Sequence, residues 1–357
     1  MKLGLGLYRS ILTTENFRFA RQAGATHIVA HIAGNFSRDR RNITTGSAGF
    51  GLADGDRDYI WTLEGMQQLK AAINAEGLEL EAIENFDPTH WYDVLLDGPG
   101  KLSQMEHLKQ IIRNAGKVGI PVFGYNFSIA GVWGREEGAF ARGGAKTVAF
   151  LEPEQTPIPN GMVWNMVYDP SAPAGYLGRV SSEELWQRFT WFLNELMPVA
   201  EEAGVKLAAH PDDPPLPEVR GTARLVYEAQ LYDRLLALRP SPNNMLEFCL
   251  GTLAEMKNTD IYQAVEKYSA LGKIAYIHFR NVRGKVPRYY EVFIDEGDVD
   301  MIRILKILRD NHYQGVLIPD HTPKLECDAP WHAGMAYALG YMRAAMQALG
   351  IEIYSGG

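Results

Sequence analysis

A chain of 357 residues, 46% hydrophobic and 22% charged, is long enough to bury a full core and has the mixture of an ordinary globular protein, not a disordered one. Its formal net charge of −8 offers no basic stripe to a phosphate backbone, and no apolar run approaches the length of a bilayer span, so neither a nucleic-acid nor a membrane partner is expected. Two cysteines, Cys249 and Cys327, and an N-terminus without a charged segment leading into an apolar one point to a reducing cytoplasm.

The first β-rich run spans 3–8, and a helical pattern follows at about 14–23. From there one cadence repeats: a helical pattern ends at a glycine and a short β-rich run begins at once. It recurs at 23–30 (AGATHIVA), 76–83 (EGLELEAI), 118–125 (VGIPVFGY), 203–210 (AGVKLAAH), 271–278 (LGKIAYIH) and 314–319 (QGVLIP). Each glycine suits the left-handed cap of a helix, and each run suits a strand buried in a parallel sheet. One further strand, 245–249, follows the turn PSPNN instead. The intervening helices are predicted at about 63–76, 103–117, 182–203, 223–238, 260–271, 299–311 and 333–349. Ser182 ahead of Glu183 and Glu184 signals the start of the 182–203 helix, and Leu185, Phe189, Phe192 and Leu196 share one of its faces.

Eight β/α units predict a single α/β domain over 1–357, a (β/α)8 TIM barrel. A doubly wound open sheet competes, but it advertises a glycine-rich phosphate loop after an early strand, whereas Gly4 and Gly6 lie inside the first strand. Two long βα connections, about 31–62 and 126–181, fall over the C-terminal face and are candidate lids.

His210, Cys249, His278 and Asp320 close the fifth to eighth strands, which are neighbours in a barrel. Singly, such a cysteine reads as a small hydrophobe and such a histidine as a cap on a backbone carbonyl. Together, two imidazoles, a thiolate and a carboxylate on one rim form a donor set for Mn²⁺, Fe²⁺ or Zn²⁺, with softness alone favouring Zn²⁺.

Around these positions stand HPDDPP (210–215), FCLGT (248–252), HFRNVRG (278–284), EGDVDM (296–301) and PDHT (319–322). Upstream are RQAGATHIV (21–29), YNF (125–127) and VWGR (132–135). In these strings the chain resembles, over nearly its whole length, the mannonate dehydratase family of xylose-isomerase-like barrels. The resemblance implies His210, Cys249, His278 and Asp320 as ligands of a divalent metal, with Mn²⁺ now ranked first. It also implies a hydro-lyase of hexuronate catabolism acting on a small sugar acid: D-mannonate loses a proton from C2 and hydroxide from C3 to give 2-keto-3-deoxy-D-gluconate.

That chemistry builds negative charge beside the substrate carboxylate, which a metal and arginines neutralise, so Arg280 or Arg135 is expected to grip a carboxylate or hydroxyl. The resemblance points to His321 as an acid or base, with orientation of Asp320 as the alternative. Substrate contacts are expected from Glu84, Asn126, Trp133, Arg135, Asp212, Asn281 and Glu291, although Asp212 with Asp213 also reads as a polar turn and Trp133 as loop packing. His90, Trp91 and Tyr92 form an aromatic cluster suited to reshaping the pocket or to an oligomer contact.

Two departures from the family pattern stand out. Where the family carries a tyrosine in a Pro-Gly-Tyr context, this chain reads Ala329-Pro330-Trp331-His332, which makes His332 a catalytic candidate. The histidine that usually follows the glutamate near 291 is also absent. Two other functions therefore stay open: a sugar isomerase or epimerase using Glu84 and Glu247, or a barrel that binds a sugar acid without turnover. Barrels of this group often associate, so a homo-oligomer stays open too.

Overall fold

The computed structural model describes residues 1–33 and 58–354. Eight parallel strands close a barrel: β1 (Lys2–Tyr8), β2 (His27–His31), β3 (Glu79–Glu84), β4 (Val122–Tyr125), β5 (Lys206–Ala209), β6 (Asn244–Cys249), β7 (Ile274–His278) and β8 (Val316–Ile318). Hydrogen-bonded neighbours follow chain order, and β8 closes the ring on β1 by pairing Val316 with Lys2 and Leu317 with Leu3. Eight helices alternate with them: α1 (Thr14–Gln22), α2 (Leu63–Ala75), α3 (Lys101–Val118), α4 (Ser182–Ala203), α5 (Leu231–Leu238), α6 (Ile261–Ala270), α7 (Met301–Asp310) and α8 (Pro330–Ala348). Among the described residues, no helix is long and apolar enough to cross a membrane.

Two of the buried apolar clusters account for the cohesion of the barrel. The larger runs between strands and helices, joining outward strand residues such as Leu3, Leu5 and Leu7 to helix residues such as Phe189, Leu193 and Leu305. The smaller contains Val29, Ala82, Val122, Ala208, Met245, Tyr276 and Val316 and fills the barrel interior. Burying apolar side chains on both faces is what makes these strands read as near-continuous hydrophobic runs.

The cadence holds with one variation. Gly119 (φ 76) and Gly204 (φ 69) cap α3 and α4 in the left-handed region, as expected. After α7 it is His312 that takes positive φ, at 55, while Gly315 is needed for closeness: a Cβ there would lie 2.5 Å from the Ala275 carbonyl oxygen. The cap of α4 is Ser181, one residue before the expected Ser182; its hydroxyl accepts from the Glu184 amide and the Glu184 carboxylate reaches back to its own.

The helix expected at 223–238 forms only as α5, from Leu231. Asp212 captures the amides of Leu225 and Val226, and buried Arg224 donates to Ser128, Asp212, and the carbonyls of Gly131 and Asp213. Those bonds commit the segment to a loop before a helix can start. Of the two expected lids, 31–62 lies largely in 34–57, outside the described residues. The other, 126–181, contributes Arg135–Gly138 and Thr147–Leu151 to a four-stranded antiparallel sheet completed by Val282–Lys285 and Arg288–Glu291 from the loop after β7. This sheet carries Arg135 and Glu291 to the barrel mouth.

Candidate active site

Strand alternation decides which side chains meet. With a period of two, the inward positions run Gly4-Gly6-Tyr8 on β1, Val29-His31 on β2, Ala82-Glu84 on β3, Met245-Glu247-Cys249 on β6 and Tyr276-His278 on β7. Asn126, His210 and Asp320 follow β4, β5 and β8 at the same depth. Apolar at the bottom, the interior therefore ends in a ring of polar side chains at the C-terminal rim.

Within that ring, the ligand-type atoms of His210, Cys249 and His278 all lie within 4.8 Å of one another. Asp320 joins them through His278, its Oδ2 3.5 Å from Nδ1. Asp320 has φ 62, a left-handed conformation that costs energy outside glycine and collects at functional sites. The other ring nitrogen of His278, Nε2, sits 3.1 Å from both Glu84 Oε2 and Glu247 Oε1, and Glu84 Oε1 is held 2.6 Å from His31 Nε2. Nδ1, by contrast, is buried with no hydrogen-bond partner. His210 is steadied at Nδ1 by the Pro211 carbonyl, which also accepts from Asn126.

The electrostatics set burial against closely packed charges. Burial alone would raise the Cys249 thiol, but the Arg280 guanidinium and the two imidazoles outweigh it and hold it well below the usual thiol range. Against burial, Glu247 and the Cys249 thiolate push His210 up to about 9, and Asp320, Glu84 and Glu247 raise His278 well above its ordinary value. Burial and the neighbouring Glu84 charge push Glu247 up to about 8. A thiolate, two imidazoles, a carboxylate and an orphaned nitrogen among them fit a divalent ion.

Arg280 has a different part from the expected grip on substrate. It is buried, and its guanidinium contacts Glu255 (3.1 Å), Glu291 (2.6 Å), Asp213 (3.1 Å), Asp320 (3.1 Å) and Cys249 Sγ (3.3 Å). Gly251 makes room for it, since a Cβ there would stand 2.6 Å from the guanidinium carbon. Both terminal nitrogens are committed to fixing the wall of the site, and Nε lies against Asp320. Arg135, 20% exposed, reaches the same wall from the loop sheet, with NH2 2.8 Å from Asp213 Oδ2 and 3.1 Å from Glu291 Oε1.

Beside the ligand cluster stands His321, 28% exposed. Glu291 Oε2 lies 3.1 Å from its Nδ1, and the Tyr8 hydroxyl lies 3.2 Å from its Nε2. Against the cost of burial, Arg135, Arg280 and His321 hold Glu291 down at about 2, so it accepts. Nδ1 therefore donates to Glu291, and Nε2 faces the Tyr8 hydroxyl, with Asp320 Oδ1 3.4 Å away. The Arg135 NH1 approach to Nδ1, at 3.3 Å, is then a contact between two donors.

Other expected residues are spent on scaffolding. Asn281 uses all four amide positions on main chain, donating to Ile294 and Val299 and accepting from Val282 and Val299. Asp212 is filled by Arg224 and two amides. Trp133 packs on the Phe150–Val286–Tyr289 cluster with Arg220 over its ring. Glu84 is 4% exposed and spent on the two histidines. The His332 imidazole turns to α1, with Nε2 2.8 Å from Asn16 Oδ1 and its ring edge-on to Phe19. His90 and Trp91 are buried, and Tyr92 stacks on Tyr168, so that aromatic cluster secures a loop. Cys327 is exposed and free. Sequence reasoning passed over Tyr8, His31 and Glu255; for the first two, the parity of inward positions along β1 and β2 was the signal available.

A parallel barrel with a buried donor cluster at its C-terminal rim, flanked by an oriented histidine, defines an enzyme class that moves protons on a small polar substrate. Comparison with known proteins narrows this. The model of the D-mannonate dehydratase (UxuA) family matches residues 13–354, and the chain belongs to that family and is a hydro-lyase. A mannonate dehydratase from Streptococcus equi subsp. zooepidemicus is 32% identical over 312 residues, covering 81% of this chain and 85% of its own length. The crystal structure of the mannonate dehydratase from Streptococcus suis serotype 2 matches with a TM-score of 0.76 at 26% identity, covering 100% of this chain and 97% of that one. A xylose isomerase domain protein from Planctomyces limnophilus matches at TM-score 0.57 and 15% identity over 98% of this chain and 99% of its own, which speaks for the xylose-isomerase-like barrel alone.

Proposed function

We propose that this chain dehydrates D-mannonate to 2-keto-3-deoxy-D-gluconate, using a divalent cation, Mn²⁺ before Fe²⁺ or Zn²⁺, held by His210, Cys249, His278 and Asp320. The observation that carries the reading is the buried His278 Nδ1, which has no hydrogen bond and lies 3.5 Å from Asp320 in a residue clustered with His210 and Cys249, while carboxylates occupy Nε2. A divalent ion there supplies Lewis-acid stabilisation of the charge that grows on the substrate carboxylate. Arg135, at the mouth, adds positive charge from the wall formed by Asp213 and Glu291. His321 takes the C2 proton at Nε2, and the Glu291 carboxylate on Nδ1 stabilises the imidazolium that results. Electrons from the C2–H bond form the new C2–C3 double bond as hydroxide leaves C3, and the enol becomes the keto acid.

Against a sugar isomerase that shuttles a proton between carboxylates, Glu84 and Glu247 are 4% and 0% exposed and lie behind His278, out of reach of a substrate carbon. A reducing cytoplasm suits a thiolate ligand. The test is a panel of aldonic acids incubated with purified protein and Mn²⁺, assayed for 2-keto-3-deoxy acid. D-mannonate should give product; a metal-loaded protein that converts none of the acids would overturn the reading.

A further inference from the structure

Dehydration needs a second proton carrier, because hydroxide leaving C3 must be protonated while His321 is receiving the C2 proton. Among the described residues, few groups at the mouth qualify. Arg135 and Arg280 do not release protons, and Glu291, held at about 2 by its arginines, has none to give. Asp320 belongs to the ligand cluster, and His332 is bonded to Asn16. Tyr276 and Tyr289 are buried, the latter donating to Asp213.

Tyr8 differs from all of these. It ends β1 on the inner face, half-buried, with its ring 4.9 Å from that of His31 and its hydroxyl 3.2 Å from His321 Nε2. Glu291 on Nδ1, the imidazole, and the phenol on Nε2 form one hydrogen-bonded line. A tyrosine phenol carries its proton at neutral pH, and this hydroxyl is aimed at His321 Nε2, so at rest it has a proton to donate.

Resting on the dehydration proposed above, we infer that Tyr8 is the acid that protonates the hydroxide leaving C3, paired with His321 as the base at C2. The cycle balances. Nε2 takes the C2 proton, the C2–H electron pair becomes the double bond, and the C3–O bond breaks as the Tyr8 proton makes the departing hydroxide into water. The imidazolium then returns its proton from Nε2 to the Tyr8 oxygen across the existing hydrogen bond, restoring both groups with no co-reactant. Acid and base lying side by side, 3.2 Å apart, suit departure of the two substituents from one face of the substrate.

A leaving group that needs no proton separates this role from simple support of His321. Tyr8→Phe should slow water elimination from D-mannonate by a hundredfold or more, on the order expected for losing one acid–base group, yet keep fluoride release from 3-deoxy-3-fluoro-D-mannonate within about threefold of the parent enzyme. His321→Gln should lose both reactions, since both begin at C2. Bound metal and the thermal transition of each variant, measured alongside, report whether fold and site are intact. The inference is overturned if Tyr8→Phe slows both eliminations equally, or slows neither. A parent enzyme that does not dehydrate D-mannonate would instead defeat the functional reading on which it rests.

Discussion

The two halves of the barrel end in polar residues of different kinds. Strands β5 to β8 lead into His210, Cys249, His278 and Asp320, the donor set proposed above for a divalent cation. Strands β1 to β4 lead into Tyr8, His31, Glu84 and Asn126, which reach across the mouth: Glu84, itself held by His31, to His278, Asn126 to the Pro211 carbonyl beside His210, and Tyr8 to His321, the neighbour of Asp320. One half gathers the cation-type donors; the other fixes their geometry and, through Tyr8, brings a hydroxyl to His321. A donor set brought together by four separate strands keeps one arrangement only if each imidazole has its second nitrogen engaged.

The largest effect should come from the donating half. Cys249→Ser should lose nearly all bound metal, measured by elemental analysis, while far-UV circular dichroism stays unchanged because the barrel core lies below the rim. Full occupancy would remove Cys249 from the ligands. Acid should act next, on the wall shared by both halves. Glu291 is depressed from 4.5 to about 2 in the folded chain, so its contribution is present above about pH 4.5 and lost as pH falls towards 2. The shift corresponds to about 3 kcal/mol, an order-of-magnitude figure. Glu291→Gln should therefore flatten the acid limb of stability measured by denaturant titration; an unchanged limb would mean the arginines do not hold Glu291 as described.

In the supporting half the expected effects are smaller. Glu84→Gln keeps the shape but weakens the clamp on His278, and Mn²⁺ affinity should drop roughly 10–100-fold by isothermal titration. No change in affinity would mean the two halves are not coupled. Smallest of all is His332→Tyr, whose site faces Asn16 and Phe19. Its kcat/KM should stay within about threefold, far from the range expected for losing an acid–base group. A collapse in turnover at constant metal content would return His332 to the catalytic set.

The same division explains what could be read in the sequence. A helix ending at Gly119 or Gly204 and passing at once into a buried strand is local information, and the barrel follows from its repetition. The ligand-type residues were legible because His, Cys and Asp are conspicuous after an apolar run. Tyr8 was not, since tyrosine is an ordinary strand former and only its parity with Gly4 and Gly6 marks it as inward. Arg280 looked like a substrate clamp because its partners, Asp213, Glu255, Glu291 and Asp320, are scattered over a hundred positions and meet only when the barrel closes. The Arg224–Asp212 pair defeated the helix expected at 223–238 by the same route, through buried bonds that no local pattern announces.

The central claim is that the donor set holds an ion the reaction needs. The direct measurement strips the protein with chelator, titrates Mn²⁺ back, and follows keto-acid formation from D-mannonate at each addition. Turnover that is absent at the start and rises to a plateau at one ion per chain is the predicted result. Undiminished turnover by the stripped protein, with metal shown to be gone, would contradict it.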